Sequence, residues 1–307
     1  MQDLPWIRIG TRGSPLALAQ THQIRHCLSQ AHGIPEARIE VLVIRTTGDM
    51  IQDRALSEAG GKGLFTKELD TAMIDGRIDI AVHSSKDLPT TLPPEICVVG
   101  YPTREDVRDV FIGKDNQTLM ALAGGARIGT ASLRRAALVK RLRPDLEISL
   151  LRGNVETRLR KVQAGEVDGT MLALAGLKRL GHEASATEIL SEDQFLPAIG
   201  QGAIGITARC NDLVTHQKVE AICDTKTGHA LTTERAFLRI LDGSCRTPIA
   251  GLARVTGGNL SFRGMILRKD GSQYFEISRD AAISQAETLG TECGRKLLER
   301  APFDIFA

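Results

Sequence analysis

The sequence predicts an α/β protein: two doubly wound domains, then a small α+β C-terminal domain with a three-stranded antiparallel sheet. Three observations point there. Short strand-like runs alternate with helix-length segments over the first two thirds, the pattern of βαβ units. That region echoes itself: Gly76-Arg77-Ile78-Asp79 and Gly165-Glu166-Val167-Asp168 each follow a helical pattern and open a strand. After about Val219 the pattern changes to a helix, three β-like runs joined by Gly-bearing turns, and a last helix. A chain of 307 residues suits two or three cores rather than one.

Trp6 to Gly10 alternates as a first strand and passes through Thr11-Arg12-Gly13-Ser14-Pro15 into a helix to about Ala31. Ser14 is a good N-cap and Pro15 suits the first helical position. Free amides and the positive helix end then lie beside Arg12, making either an anion site or a turn with a solvated arginine. Ile39 to Arg45 is a strand with Ile39, Val41 and Val43 on one face, broken by Thr46-Thr47-Gly48-Asp49. Ser57 to Gly63 is Gly-rich and carries Lys62 just before a helix over Leu64 to Asp75. It lacks the Lys-Ser/Thr pair of a Walker loop and reads as a lid with one lysine or as an ordinary surface loop. Ile78 to Val82 is a buried-type strand. His83-Ser84-Ser85-Lys86-Asp87 follows at its carboxyl end, where open α/β sheets bind ligands. Asp87 there is a general acid/base or a stabiliser of a cation; the plain alternative is a capped turn with Asp87 paired to Lys86 in solvent. Cys97 to Gly100 gives a further strand, and the polar Tyr101 to Asp109 a hinge.

The second domain repeats the logic. Arg127-Ile128-Gly129 runs through Thr130-Ala131-Ser132-Leu133-Arg134-Arg135 into a helix to about Arg143. Ile148 to Leu151 runs through Arg152-Gly153-Asn154 into a helix through Arg158, and Gly169 to Leu172 runs into Ala175-Gly176-Leu177-Lys178-Arg179. Leu196 to Ala203 crosses back, so Ile204 to Arg209 adds a strand to the first sheet. The expected domains are 1–101 with 200–218, 102–199, and 219–307. In the third, a helix over Gly228 to Leu241 leads into the loop Asp242-Gly243-Ser244-Cys245-Arg246-Thr247-Pro248. Strands over Ile249 to Val255, Leu260 to Leu267 and Gln273 to Ser278 follow, with hairpin turns at 257–259 and 269–271. An amphipathic helix, Ser284 to Arg300, covers one face.

Composition narrows the chemistry. With 42% hydrophobic and 25% charged residues and a net charge of +2, nothing global draws the chain to nucleic acid or membrane. It has no apolar run of about 18 residues and no secretion signal at Met1 to Trp6. The six cysteines form no CxxC pair, so no metal site is expected, and reduced thiols in a cytoplasmic protein are. Arg12, Arg134, Arg135, Arg152, Arg158 and Arg179 lie at or just past predicted strand ends. Guanidinium grips carboxylate or phosphate in a fork, and such a cluster inside a cleft repels itself without an anion. A small, multiply anionic ligand fits. Nucleic acid fits less well, because only 4% of residues are aromatic and could stack bases. Cys245, flanked by Ser244 and Arg246, has its thiolate favoured and could carry a covalent adduct; the bland reading is a small buried hydrophobe.

Taken together these stretches resemble the porphobilinogen deaminase family. The motifs are Thr11-Arg12-Gly13-Ser14-Pro15-Leu16-Ala17, Gly60-Gly61-Lys62-Gly63-Leu64-Phe65, Ala81-Val82-His83-Ser84-Ser85-Lys86-Asp87, Gly129-Thr130-Ala131-Ser132-Leu133-Arg134-Arg135, Leu151-Arg152-Gly153-Asn154, Gly176-Leu177-Lys178-Arg179-Leu180-Gly181, Gly200-Gln201-Gly202-Ala203 and Gly243-Ser244-Cys245-Arg246-Thr247-Pro248-Ile249. The resemblance implies three domains, the first two similar to periplasmic binding proteins. It implies head-to-tail condensation of four porphobilinogen molecules, with loss of ammonia, to the linear tetrapyrrole hydroxymethylbilane. It also implies a dipyrromethane cofactor joined to Cys245 by a thioether, and Asp87 as the catalytic carboxylate. By the same resemblance Arg12, Ser14, Arg134, Arg135, Arg152, Arg158 and Arg179 hold acetate and propionate groups. Lys62 and Phe65 belong to a mobile loop, and Ser84, Lys86, Thr130, Ser132, Gly153, Asn154 and Gln201 line the cleft. Two positions depart from the family: Glu58 stands where many members carry a basic residue, and Ala131 where a serine is common. The expected protein is a monomer acting on a small molecule, with no nucleic-acid or membrane partner. The rival reading is a two-lobed binding protein for a polycarboxylate, which would need neither Cys245 nor the third domain.

Overall fold

The computed structural model describes residues 5–50, 63–241 and 247–306. The chain runs β1 (Ile7–Thr11), α1 (Pro15–His32), β2 (Ile39–Val43), the single-turn α2 (Thr47–Met50), α3 (Lys67–Ile74), β3 (Ile80–Ser84) and β4 (Ile96–Gly100). It continues β5 (Asp109–Gly113), β6 (Arg127–Gly129), α4 (Leu133–Leu142), β7 (Glu147–Ser149), α5 (Val155–Gln163), β8 (Gly169–Ala173), α6 (Leu174–Leu180) and β9 (Glu188–Ile189). Then come β10 (Ile204–Arg209), α7 (Leu213–Glu220), α8 (Thr225–Ile240), β11 (Ile249–Thr256), β12 (Asn259–Leu267), β13 (Tyr274–Ala282) and α9 (Ala286–Arg300).

Two sheets share one plan. The first is ordered β2-β1-β3-β10-β4, the second β7-β6-β8-β5-β9. In each, three parallel strands are followed by an antiparallel strand that enters from the other lobe: β10 beside β3, and β5 beside β8. The chain therefore crosses twice, through 101–108 and 190–203. Central strands are buried on both faces, which is why β5 and β10 read as short apolar runs. α1 covers one face of the first sheet with Ile24 and Leu28, and α3 the other with Leu69, Ala72 and Met73. The sequence echo is a shared device. Gly76 and Gly165 both turn at φ 71°. The Asp79 carboxylate accepts from Arg8 N at 2.8 Å, and the Asp168 carboxylate from Arg127 N at 2.7 Å.

Three details differ from the expectation. α3 starts at Lys67 rather than Leu64, because Gly63, at φ 88°, turns the chain ahead of Thr66. Val43 is 54% exposed, since β2 is an edge strand and its end is uncovered. β5, β9, α7 and the single-turn α2 were not anticipated; β5 begins on Asp109, the last residue of the expected hinge.

The third sheet, β11-β12-β13, is an antiparallel meander. Its first turn uses Gly257 and Gly258 at φ 57° and 82°, as a two-residue hairpin with positive φ at both positions requires. α8 and α9 pack on it through Phe237, Phe262, Ile266, Leu289 and Leu297. Glu234 on α8, fully buried, ties this unit to both crossings. It accepts from Arg104 Nη1 at 2.6 Å and Nη2 at 3.1 Å, from Gly200 N at 2.7 Å and from Ala253 N at 2.9 Å. Among the described residues no helix is long and apolar enough to cross a membrane.

Candidate active site

On the first lobe, the β1–α1 turn and the end of β3 meet at a cavity of about 60 Å³ lined by Arg12, Ser14, Gln20, Phe65, Thr66, His83, Ser84 and Asp87. Ser14 Oγ caps α1 by accepting from Ala17 N at 3.3 Å, leaving the positive helix end beside Arg12. The Arg12 guanidinium lies 4.1 Å above the centroid of Phe65. Phe65 fits because residue 48 is glycine: a Cβ there would stand 2.4 Å from the ring. Gln20 Nε2 donates to Ser84 Oγ at 3.0 Å. His83 is 5% exposed, its Nε2 3.1 Å from Thr207 Oγ1. Burial, helped by the Arg12 charge, holds its pKa down to about 3, so the imidazole stays neutral.

Asp87 closes the short 3₁₀ turn Ser85–Asp87. The second crossing lies against this turn. Gly200, at φ 73°, would place a Cβ 2.9 Å from Ser85 Oγ and 3.0 Å from Lys86 N. Gln201 Oε1 sits 3.5 Å from Lys86 Nζ. Desolvation, then the Arg135 charge, bring the Lys86 ammonium down to about 8, with Asp87 and Asp109 opposing.

On the second lobe, Ser132 caps α4 through Arg135 N at 3.4 Å, and Thr130 Oγ1 accepts from Ser132 N at 3.1 Å. Arg134 and Arg135 are 4% and 6% exposed. Asp109 grips both: Oδ2 accepts from Arg134 Nη2 at 2.7 Å, and Oδ1 from Arg135 Nε at 3.0 Å and Nη2 at 2.7 Å. This corrects the expectation that the cluster needs an outside anion to hold together; an internal carboxylate already serves these two. Asn154 caps α5, accepting from Thr157 N at 2.9 Å. Gly153 sits at φ 122°, where a Cβ would be 2.7 Å from Thr157. Arg158 Nε donates to the Gly153 carbonyl at 2.9 Å. Burial, then the charges of Arg135 and Arg152, lower Arg158 to about 10, against Asp87.

Arg179 is a second correction. It lies in the last turn of α6, away from the end of β8, and its Nη2 donates to the Gly202 carbonyl at 2.8 Å. Of the expected residues, then, Arg12, Ser14, Phe65, Ser84 and Asp87 share a cavity. The charges of Arg135 and Asp87 act on both Lys86 of the first lobe and Arg158 of the second, and that of Arg152 on Arg158. Arg134 and Arg179 reach backbone carbonyls of the second crossing. Lys62, Cys245 and the departure at Glu58 lie outside the described residues, while Ala131 is exposed. Asp109, Arg104 and Glu234 escaped the sequence reading. An acid directly before the apolar run Val110-Phe111-Ile112 was the available signal for Asp109. Among the described residues no group of three or more His, Cys, Asp or Glu is placed to hold a metal ion.

The family model described as porphobilinogen deaminase, dipyromethane cofactor binding domain, matches residues 7–217, and that of the porphobilinogen deaminase C-terminal domain matches residues 229–299. Porphobilinogen deaminases of Nitrobacter winogradskyi and Nitrobacter hamburgensis are each 54% identical over 302 residues, covering 97% of this chain and 96% of theirs. Similarity to solved structures is weaker: a YaeC-family lipoprotein from Enterococcus faecalis aligns at TM-score 0.42 and 12% identity, over 71% of this chain and 91% of that one. With both family models matched in order and more than half of all residues shared with these relatives, the chain belongs to the porphobilinogen deaminase family.

Proposed function

We infer that the chain condenses four porphobilinogen molecules head to tail, releasing ammonia, into the linear tetrapyrrole hydroxymethylbilane; it is a transferase, a hydroxymethylbilane synthase of tetrapyrrole biosynthesis. One observation carries the reading beyond family membership: Asp87, at the carboxyl end of β3, is close enough for its charge to act on Arg158 of the opposite lobe, where the charges of Arg135 and Arg152 also act. Each pyrrole carries an acetate and a propionate, and these guanidiniums with Arg12 suit those carboxylates. Loss of ammonia from porphobilinogen leaves an electron-poor azafulvene. Asp87 stabilises that cation and handles the pyrrole N–H protons. Neutral His83 adds no competing positive charge beside it.

The family model names a dipyrromethane cofactor, and the residues present fit one: the same guanidiniums take its carboxylates, and Asp87 its pyrrole N–H groups. We assign its attachment to Cys245 through a thioether; bound there, it supplies the covalent primer on which the product grows. Support comes from α8, which leads into that loop. Its Arg235 Nη2 donates to the Pro89 carbonyl at 2.8 Å, two residues past Asp87, and its Glu234 holds Gly200 N. The reading includes Arg12, Ser14, Arg134, Arg135, Arg152, Arg158 and Arg179 as carboxylate partners or their supports, and domains at 1–101 with 200–218, 102–199 and 219–307. It includes a monomer in the cytoplasm. Three separate sheets favour the domain division.

Purified protein given porphobilinogen should release ammonia and yield the linear tetrapyrrole. Asp87→Asn should reduce turnover to background while melting like wild type. Near-normal turnover in that variant would remove Asp87 from its role, and binding without ammonia release in wild type would favour the two-lobed binding protein.

A further inference from the structure

We propose that Asp109 is a positioning residue for this reaction: one buried carboxylate fixes two consecutive guanidiniums, committing Arg134 to the frame and leaving Arg135 to present the pair's surplus positive charge to the carboxylates of the substrate. The inference rests on the deaminase reading and deepens it.

Asp109 is fully buried where the first crossing enters the second sheet: it opens β5, and its carbonyl accepts from Leu190 N at 3.0 Å. The two arginines leave it differently. Arg134 also donates from Nη1 to the Leu196 carbonyl at 2.7 Å, in the second crossing, and packs its guanidinium 5.7 Å from the Phe195 ring centroid. Its Nε is buried without a partner among the described residues. That guanidinium is thus enclosed by protein and joins the two crossings. Arg135 gives two donors to Asp109 and one to the Met171 carbonyl at 2.9 Å, so its guanidinium is held at three points on the second lobe. It is the leading charge acting to lower both Lys86 and Arg158, whereas Arg134 is the weakest influence on Lys86 and does not figure at Arg158.

One carboxylate against two guanidiniums leaves a net positive charge held rigidly at the cleft wall. A neutral amide in its place would keep the shape but neither bind both forks as tightly nor offset their mutual repulsion. Arg135 would then lose its fixed aim, and substrate carboxylates would find a displaced partner. Asp109 itself touches no substrate, so its loss should appear in substrate capture more than in the chemical step.

The test compares holoenzymes of wild type, Asp109→Asn and Thr170→Val. Thr170 is also fully buried in the second sheet, where its Oγ1 donates to the Gly129 carbonyl at 2.7 Å, and it reports a purely structural loss. The readout is kcat and KM for porphobilinogen, corrected for the cofactor-loaded fraction by intact mass. Asp109→Asn should raise KM by an order of magnitude with kcat changed far less, while Thr170→Val lowers the melting temperature and leaves KM in place. A KM shift in Asp109→Asn no larger than that in Thr170→Val overturns the proposal. If Asp109→Asn does not fold, Asp109→Glu keeps the charge on a longer arm; it should raise KM, and an unchanged KM overturns the proposal. Wild type without turnover would instead defeat the deaminase reading, and this inference with it.

Discussion

Glu234 and Asp109 are both fully buried and both hold arginine, yet their charges close differently. Glu234 takes one guanidinium through a two-point fork and two backbone amides, so its pair is neutral. It sits where both crossings meet α8 and β11. Asp109 takes two guanidiniums and remains one charge short. It opens β5, near enough to the first lobe for its charge to act on Lys86 together with that of Asp87. Position and charge balance together separate frame from site: a closed buried pair fixes geometry, and an open one at a cleft wall fixes geometry and keeps a charge for a ligand.

The largest expected effect is on the frame. Glu234→Ala leaves the Arg104 guanidinium buried without its carboxylate and should cost about 3–5 kcal/mol, read as a lower urea midpoint with an unchanged m-value. A loss well below that would mean the Glu234 pair does not lock the crossings. Asp109→Asn, by contrast, should show itself first in KM, which sharpens the distinction. A smaller effect is expected from His83. Folded, it titrates near 3 rather than 6.5, because burial and then Arg12 oppose its charge. Between those values only the unfolded chain takes up the proton, so stability falls as the pH drops through that window, by up to about 1.4 kcal/mol per pH unit from this group. His83→Gln should flatten that slope in acid unfolding curves; an unaltered slope would show that His83 is not held neutral.

The fold was legible where local rules act alone. Ser14 announced the first helix start and caps it, while Ser132 and Asn154 cap the helices that follow their turns. Gly257 and Gly258 announced a hairpin. The repeated Gly–x–x–Asp pattern announced a repeated lobe because the glycine turn and the aspartate bond to the first strand are both local in effect. The site was legible as a set of residue types at strand ends. What escaped was pairing across sequence. Asp109 meets Arg134 and Arg135 about 25 residues on, and Arg104 meets Glu234 130 residues on. No spacing rule announces such partners. Arg179 reads as a strand-end residue because α6 is so short that its last turn follows β8 closely in sequence. β5 escapes because its apolar run is short and follows directly on the polar crossing that ends at Asp109.

We propose that this cleft builds a tetrapyrrole on a primer held by Cys245. The most direct test is the intact mass of the purified protein beside a Cys245→Ala variant. The account predicts an excess on wild type equal to two pyrrole units and none on the variant. A wild-type chain that is unmodified, and stays so after incubation with porphobilinogen, would contradict it.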